Sequence, residues 1–139
     1  DRFALAHSHT WVGLQPWLAR LNGSDRAQGW RENKASGGLI MELESNDVIS
    51  QGLSMPHSPR WYRDRLWILE SGQGSLATVD LTSGQLETVA RCPGFTRGID
   101  FAGPLAFVGL SSVRESAVFS GLPLTERLNE RICGVWVVK

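Results

Sequence analysis

The chain has 139 residues, enough for one domain of ordinary size, with 42% hydrophobic and 20% charged residues. Lys plus Arg and Asp plus Glu are both 14, so the net charge is zero. That excludes the basic excess a nucleic-acid or anionic-membrane surface depends on, so neither partner is expected. No apolar run reaches the length of a membrane-spanning helix and no signal-peptide pattern opens the chain, which leaves a cytoplasmic protein as the expectation.

Asp1 rather than Met stands first, so a processed chain or a piece of a longer one is expected. Cys92 and Cys133 make neither a disulfide framework nor a CxxC metal site, and two free thiols are expected. The 15 glycines punctuate short β-branched and aromatic runs, which reads as strands joined by turns.

In chain order, the first strands fall near residues 3–6, 17–21, 38–43 and 47–51. His7 and His9 alternate on an extended segment with no third ligand nearby, so no metal is expected there. Asn22-Gly23-Ser24 fits a glycosylation sequon, a match short enough to be incidental. An offset of 38 positions then lays Met41-Glu42-Leu43-Glu44-Ser45-Asn46-Asp47-Val48 over Val79-Asp80-Leu81-Thr82-Ser83-Gly84-Gln85-Leu86. In each copy an apolar residue, an acid and Leu lead into a Ser-Asn or Ser-Gly turn, where Asn or Gly supplies positive φ. A third copy begins at Gly134-Val135-Trp136-Val137-Val138.

A second repeated element, Met55-Pro56-His57-Ser58-Pro59-Arg60, stands 37 residues before Cys92-Pro93-Gly94-Phe95-Thr96-Arg97. Short strands follow at 60–62 and 98–101, then apolar strands at 66–69 and 105–110, and the middle unit closes with a strand at 85–91. Four antiparallel strands in about 40 residues, repeated in tandem, mark β-propeller blades. The expected fold is therefore all-β: about two and a half blades, at 1–53, 54–91 and 92–139. Residues 122–131 form one helical insertion, with Pro123 in its first turn and Leu124 and Leu128 on one face.

Gly29-Trp30-Arg31-Glu32-Asn33-Lys34 and the run Gly52-Leu53-Ser54-Met55-Pro56-His57-Ser58-Pro59-Arg60-Trp61 resemble the uncharacterised family DUF4915. Pro93-Gly94-Phe95-Thr96-Arg97-Gly98, Val108-Gly109-Leu110-Ser111-Ser112-Val113-Arg114-Glu115 and Cys133-Gly134-Val135-Trp136-Val137-Val138 resemble it too. The resemblance implies a propeller-like fold in longer proteins that continue past Lys139. Lys139 stands where the family carries an acid, so the end reads as a truncation or frame change. No activity is implied.

Propeller geometry opens two kinds of loop on the same face: those leading into the innermost strands, and those joining second to third strands. The first kind brings His57, Arg60, Thr96 and Arg97, with both arginines opening an innermost strand beside the channel. The second brings Trp30, Arg31, Glu32 and Lys34, and a long insertion at 111–132 with Arg114 and Glu115. Arg60 and Arg97 can hold a carboxylate or phosphate, or instead pair with Glu70 or Asp100. His57 is a base, a ligand-binding group or a hydrogen-bonded turn residue. Trp30 beside Arg31 is a cation–π element or a plug on the sheet. Trp61, Trp67 and Trp136 read as packing between blades, and Asp25, Arg26, Arg63, Asp64 and Arg65 as solvated turn charges.

No GxSxG elbow, Walker loop, HExxH or GxGxxG is present, and no cofactor is implied. Three functions are expected in descending order. The first is a module binding a small anionic ligand or a protein through Trp30, Arg31, Arg60, Arg97 and Arg114. The second is a propeller-type hydrolase or lyase with His57 and Glu115 as acid–base pair. The third is an assembly role, with exposed blade edges pairing into a homo-oligomer.

Overall fold

Alternation of apolar and polar residues with a period of two builds three antiparallel sheets, joined in chain order. The computed structural model describes residues 17–21, 23, 29–112, 120–130 and 132–139. The expected strand at 3–6, His7, His9, Asn22, Asp25, Arg26, Arg114, Glu115 and Arg131 lie outside the described residues.

The first sheet comprises β1 (Trp17–Arg20), β2 (Gly38–Glu42) and β3 (Val48–Leu53). The second comprises β4 (Pro56–Tyr62), β5 (Arg65–Glu70), β6 (Ser75–Val79) and β7 (Leu86–Arg91). In the third, β8 (Phe95–Ala102) pairs with β9 (Leu105–Ser111), and β9 with β10 (Gly134–Val138). All-β architecture with tandem meanders is as the sequence implies. Closure of the sheets into a ring is not seen among the described residues.

Two apolar layers hold the sheets face to face. Ala19, Ile40 and Leu53 of the first sheet pack on Leu66, Ile68, Ala77 and Val79 of the second. Leu69 and Leu76, on the opposite face of the same strands, pack on Ile99, Ala106, Val108 and Leu110 of the third. The second sheet is thus covered on both sides, which is why every residue of β6 is buried. Trp17 stacks on Trp61 with ring centroids 5.3 Å apart, and Trp67 lies 5.2 Å from Phe101. Both indoles therefore join neighbouring sheets as expected. Trp136, on the edge strand β10, remains 41% exposed.

The two copies of the 38-residue repeat share the same backbone and serine hydrogen bonds. Glu42 N–H donates to Asp47 O and Asn46 N–H to Glu42 O; Asp80 N–H donates to Gln85 O and Gly84 N–H to Asp80 O. Ser45 and Ser83 hydroxyls each donate to the acid three residues back, at 2.8 and 2.9 Å. Asn46 and Gly84 have φ of 62° and 70°, the left-handed conformation the turn demands. At Gly84 a side chain would also run into the Ile49 carbonyl of the first sheet.

The bounds of three expected elements are corrected. The helix α1 covers only Pro123–Arg127: Leu128 turns to extended dihedrals (φ −118°, ψ 122°), its N–H closing the last bond to Leu124 O. The strands expected at 60–62 and 98–101 begin earlier, at Pro56 and Phe95. Pro56 and Pro59 are accommodated because β4 is an edge strand, where a missing N–H costs no ladder bond.

Candidate functional site

One end of the stack gathers the loops that the sequence placed together. Met55, leading into β4, and Phe95, opening β8, join Leu122 and Leu124 around α1 in a buried cluster, with Leu21, Trp30 and Leu128 packed against it. Trp30 therefore plugs its loop onto the sheets, and Arg31 also lies over its ring at 5.7 Å. Both readings of this pair hold at once.

Arg127, not singled out from the sequence, fastens the helix to this end. Its Nη2 donates to Gln73 O at 3.0 Å and to Cys92 O at 3.2 Å, while Leu124 N–H donates to Gly72 O at 2.9 Å. Three unrelated loops meet at that one guanidinium. A lone Arg in a short helix carries no sequence signal for such a role, because its acceptors come from distant turns.

The walls of the site are β4 and β8, which lie side by side. Their pairing with β5 and β9 sets the repeat at 40 positions here: Pro56 opposes Glu70 as Thr96 opposes Leu110, and Trp61 opposes Leu66 as Phe101 opposes Ala106. Each strand carries an irregularity at the same place, between His57 and Arg60 and between Thr96 and Ile99. Ser58 and Gly98 have φ of 53° and 73° there. These are bulges, which re-aim the side chains around them. A Cβ at Gly109 would collide with the Arg97 carbonyl that the bulge brings close.

That register corrects the alignment of the two arginines. Arg60 shares its repeat position with Asp100, and Arg97 with His57; neither arginine opens its strand. The interactions follow these positions across the two walls. Burial pushes Arg60 below the ordinary guanidinium range while the Asp100 carboxylate opposes that shift. Arg60 also donates to its neighbour Pro59 O at 3.1 Å. Arg97 is exposed overall, but its guanidinium lies 4.9 Å over the Phe95 ring, and the resulting desolvation pushes it down. Glu70 accepts the Ser54 N–H at 3.1 Å; burial raises it more than that bond and Arg91 lower it.

His57 is 4% exposed, with its ring edge-on to Phe95 at 6.5 Å. Burial first, and the Arg97 charge second, push its pKa down to about 3, so the imidazole is neutral throughout the physiological range. Among the described residues its Nε2 is buried without a hydrogen-bond partner, as are Thr96 Oγ1, Ser54 Oγ and Ser75 Oγ. Thr96 is held instead through its carbonyl, which accepts the Ser71 hydroxyl at 2.5 Å. Unpaired buried polar atoms cost about 1–3 kcal/mol each, and a group of them marks a place to look for a partner.

Two clefts lie elsewhere. One of about 450 Å³ opens beside Trp61, Asp64, Asp80 and Glu87, and another of about 190 Å³ beside Tyr62, Trp67, Phe101 and Lys139. Both open by the turns at the other end of the strands, and neither is lined by His57, Arg60 or Arg97. Asp80 is occupied by its own turn, accepting from the N–H groups of Thr82 and Ser83 and from the Ser83 hydroxyl. Among the described residues no three of His, Cys, Asp and Glu converge as a metal site, and no helix is long and apolar enough to cross a membrane.

Residues 12–139 match the model of a domain of unknown function, DUF4915. The chain belongs to this family. No curated protein and no solved structure matches it. In this DUF4915 domain the matched region includes all three sheets and the His57–Arg97 wall. Trp30 and Arg31 lie in its 3-10 turn Gly29–Arg31, and Arg60 and Arg97 on the sheet-edge strands β4 and β8.

Proposed function

We propose that the three sheets are consecutive blades of a β-propeller, and that the walls formed by β4 and β8 bind a small anionic ligand at the channel mouth. The blade reading draws support from the 38- and 40-residue offsets, and from the contact between β4 and β8, the first strands of adjacent sheets. Neighbouring strands related by rotation about an axis meet in this way.

One observation carries the binding reading: Arg97 presents a partly desolvated guanidinium beside a neutral His57 that has an unsatisfied buried Nε2. Desolvated cations with open hydrogen-bonding capacity bind anions more strongly than solvated ones. The hydrolase reading is weaker on the same evidence, because a base whose conjugate acid has a pKa of about 3 removes protons poorly at neutral pH.

A thermal-shift screen of the chain with anionic metabolites tests the proposal. Ligands that bind only the folded state must raise its stability, and Arg97→Ala must abolish the rise. A flat screen, matched in ionic strength, sinks it.

An assembly reading has one observation in its favour. β10 stands at a sheet edge with Val135 66% and Val137 50% exposed, a surface suited to strand pairing with a second copy. Light scattering over a concentration series, with Val137→Lys as control, decides it: a monomer at every concentration removes this reading.

A further inference from the structure

Charge along the two walls narrows the ligand class, and this step rests on the proposed anion site. Arg60 and Asp100 hold equivalent repeat positions on adjacent strands and interact electrostatically, so between them they contribute no net charge. His57 and Arg97 hold the next equivalent pair; the imidazole is buried among apolar neighbours, and the guanidinium lies over Phe95. Among the described residues one uncompensated positive charge remains on these walls, that of Arg97, next to a neutral side chain whose Nε2 lacks a partner there.

We infer that the ligand is a monocarboxylate, gripped by the Arg97 guanidinium and hydrogen-bonded by His57, rather than a phosphate. A carboxylate carries one charge and matches the fork of a single arginine. A phosphate monoester brings up to two charges at neutral pH and, among the described residues of the two walls, would meet one uncompensated cation. The imidazole, held neutral, donates from Nε2 in its Nε2–H form, and an acceptor entering beside Arg97 removes the penalty of that orphaned atom. Phe95 and the Met55–Leu122–Leu124 cluster supply the apolar surround that strengthens such a bond.

Acetate and propionate, against inorganic phosphate and a chloride control at equal ionic strength, test this on the full chain. The readouts are the melting temperature and the His57 imidazole nitrogen resonances, assigned through His57→Gln. The carboxylates are expected to raise the melting temperature and shift the His57 Nε2 signal, with phosphate indistinguishable from chloride. Arg97→Gln should weaken the carboxylate response roughly tenfold or more, and Arg97→Lys should restore only part of it. Asp100→Asn, which leaves Arg60 uncompensated, should create a phosphate response absent from the wild type. If phosphate outcompetes acetate in the wild type, the carboxylate assignment is wrong while the anion site stands. If neither anion moves His57 or the melting temperature, the anion site falls with it.

Discussion

β6 and β10 occupy the same place in the repeat, Val79 over Val138, and are both apolar strands of five residues, yet their burial is opposite. Every residue of β6 is buried; in β10 four of the five residues are exposed. The difference lies in the neighbours. β6 sits between β5 and β7 in a sheet packed on both faces, whereas β10, among the described residues, has β9 on one side and an open edge on the other. An apolar strand is thus a capacity for burial, and tertiary neighbours decide how much of it is used.

The sharpest way to break this comparison is to cut the same repeat position in both strands. Leu76, fully buried, and Val135, 66% exposed, are equivalent. Leu76→Ala should cost about 2–5 kcal/mol in urea unfolding, and Val135→Ala no more than about 0.5 kcal/mol. Equal losses would mean that β10 is covered in solution.

The second contrast is between His57 and Arg97, equivalent positions that are buried and exposed respectively. The folded His57 pKa of about 3 lies below its ordinary 6.5, so between these values the unfolded chain binds the proton and the folded chain does not. Stability from this group is therefore fully present above about pH 6.5 and lost as pH falls towards 3, on the order of 5 kcal/mol in all. Denaturation midpoints followed from pH 7 to 4 should show the fall, and His57→Phe should flatten it.

A smaller effect separates the two copies of the hairpin turn. Gly84→Ala forces a side chain into positive φ and onto the Ile49 carbonyl, and should cost about 1–3 kcal/mol. Asn46→Gly, at the equivalent position, should change stability by a few tenths of a kcal/mol. Calorimetry on the pair reads the difference.

The smallest perturbation needs no mutation. Cys92 is buried between the second and third sheets, and burial raises its thiol pKa. Cys133, one residue before β10, is exposed, and hydrogen bonds from Ser112 hold its thiol below the usual range. Iodoacetamide should therefore alkylate Cys133 in the folded chain and reach Cys92 only on unfolding. Mass spectrometry of partly modified protein gives the order, and simultaneous labelling would contradict the burial of Cys92.

How much was legible beforehand differs between elements for the same reason. The Glu42–Asp47 and Asp80–Gln85 turns could be read from the chain because all their bonds are local: an acid, a serine and a residue tolerant of positive φ suffice. Trp61 and Trp67 were recognisable as packing residues from their place on strands. The phase of β4 against β8 was not legible: matching Pro56-His57-Ser58-Pro59-Arg60 to its counterpart by residue type gave 37 positions and paired the two arginines. The ladders give 40, because a bulge is counted only against the strand opposite it.

The amino-acid sequence by itself determined the all-β class, the tandem meanders, the turn chemistry and the family, all of which rest on short-range patterns. Tertiary structure alone decided that Arg60 faces Asp100, that His57 is buried and neutral beside Arg97, and that Arg127 ties three loops together. Those outcomes depend on desolvation and on distances between residues far apart in the chain, and no local pattern encodes either.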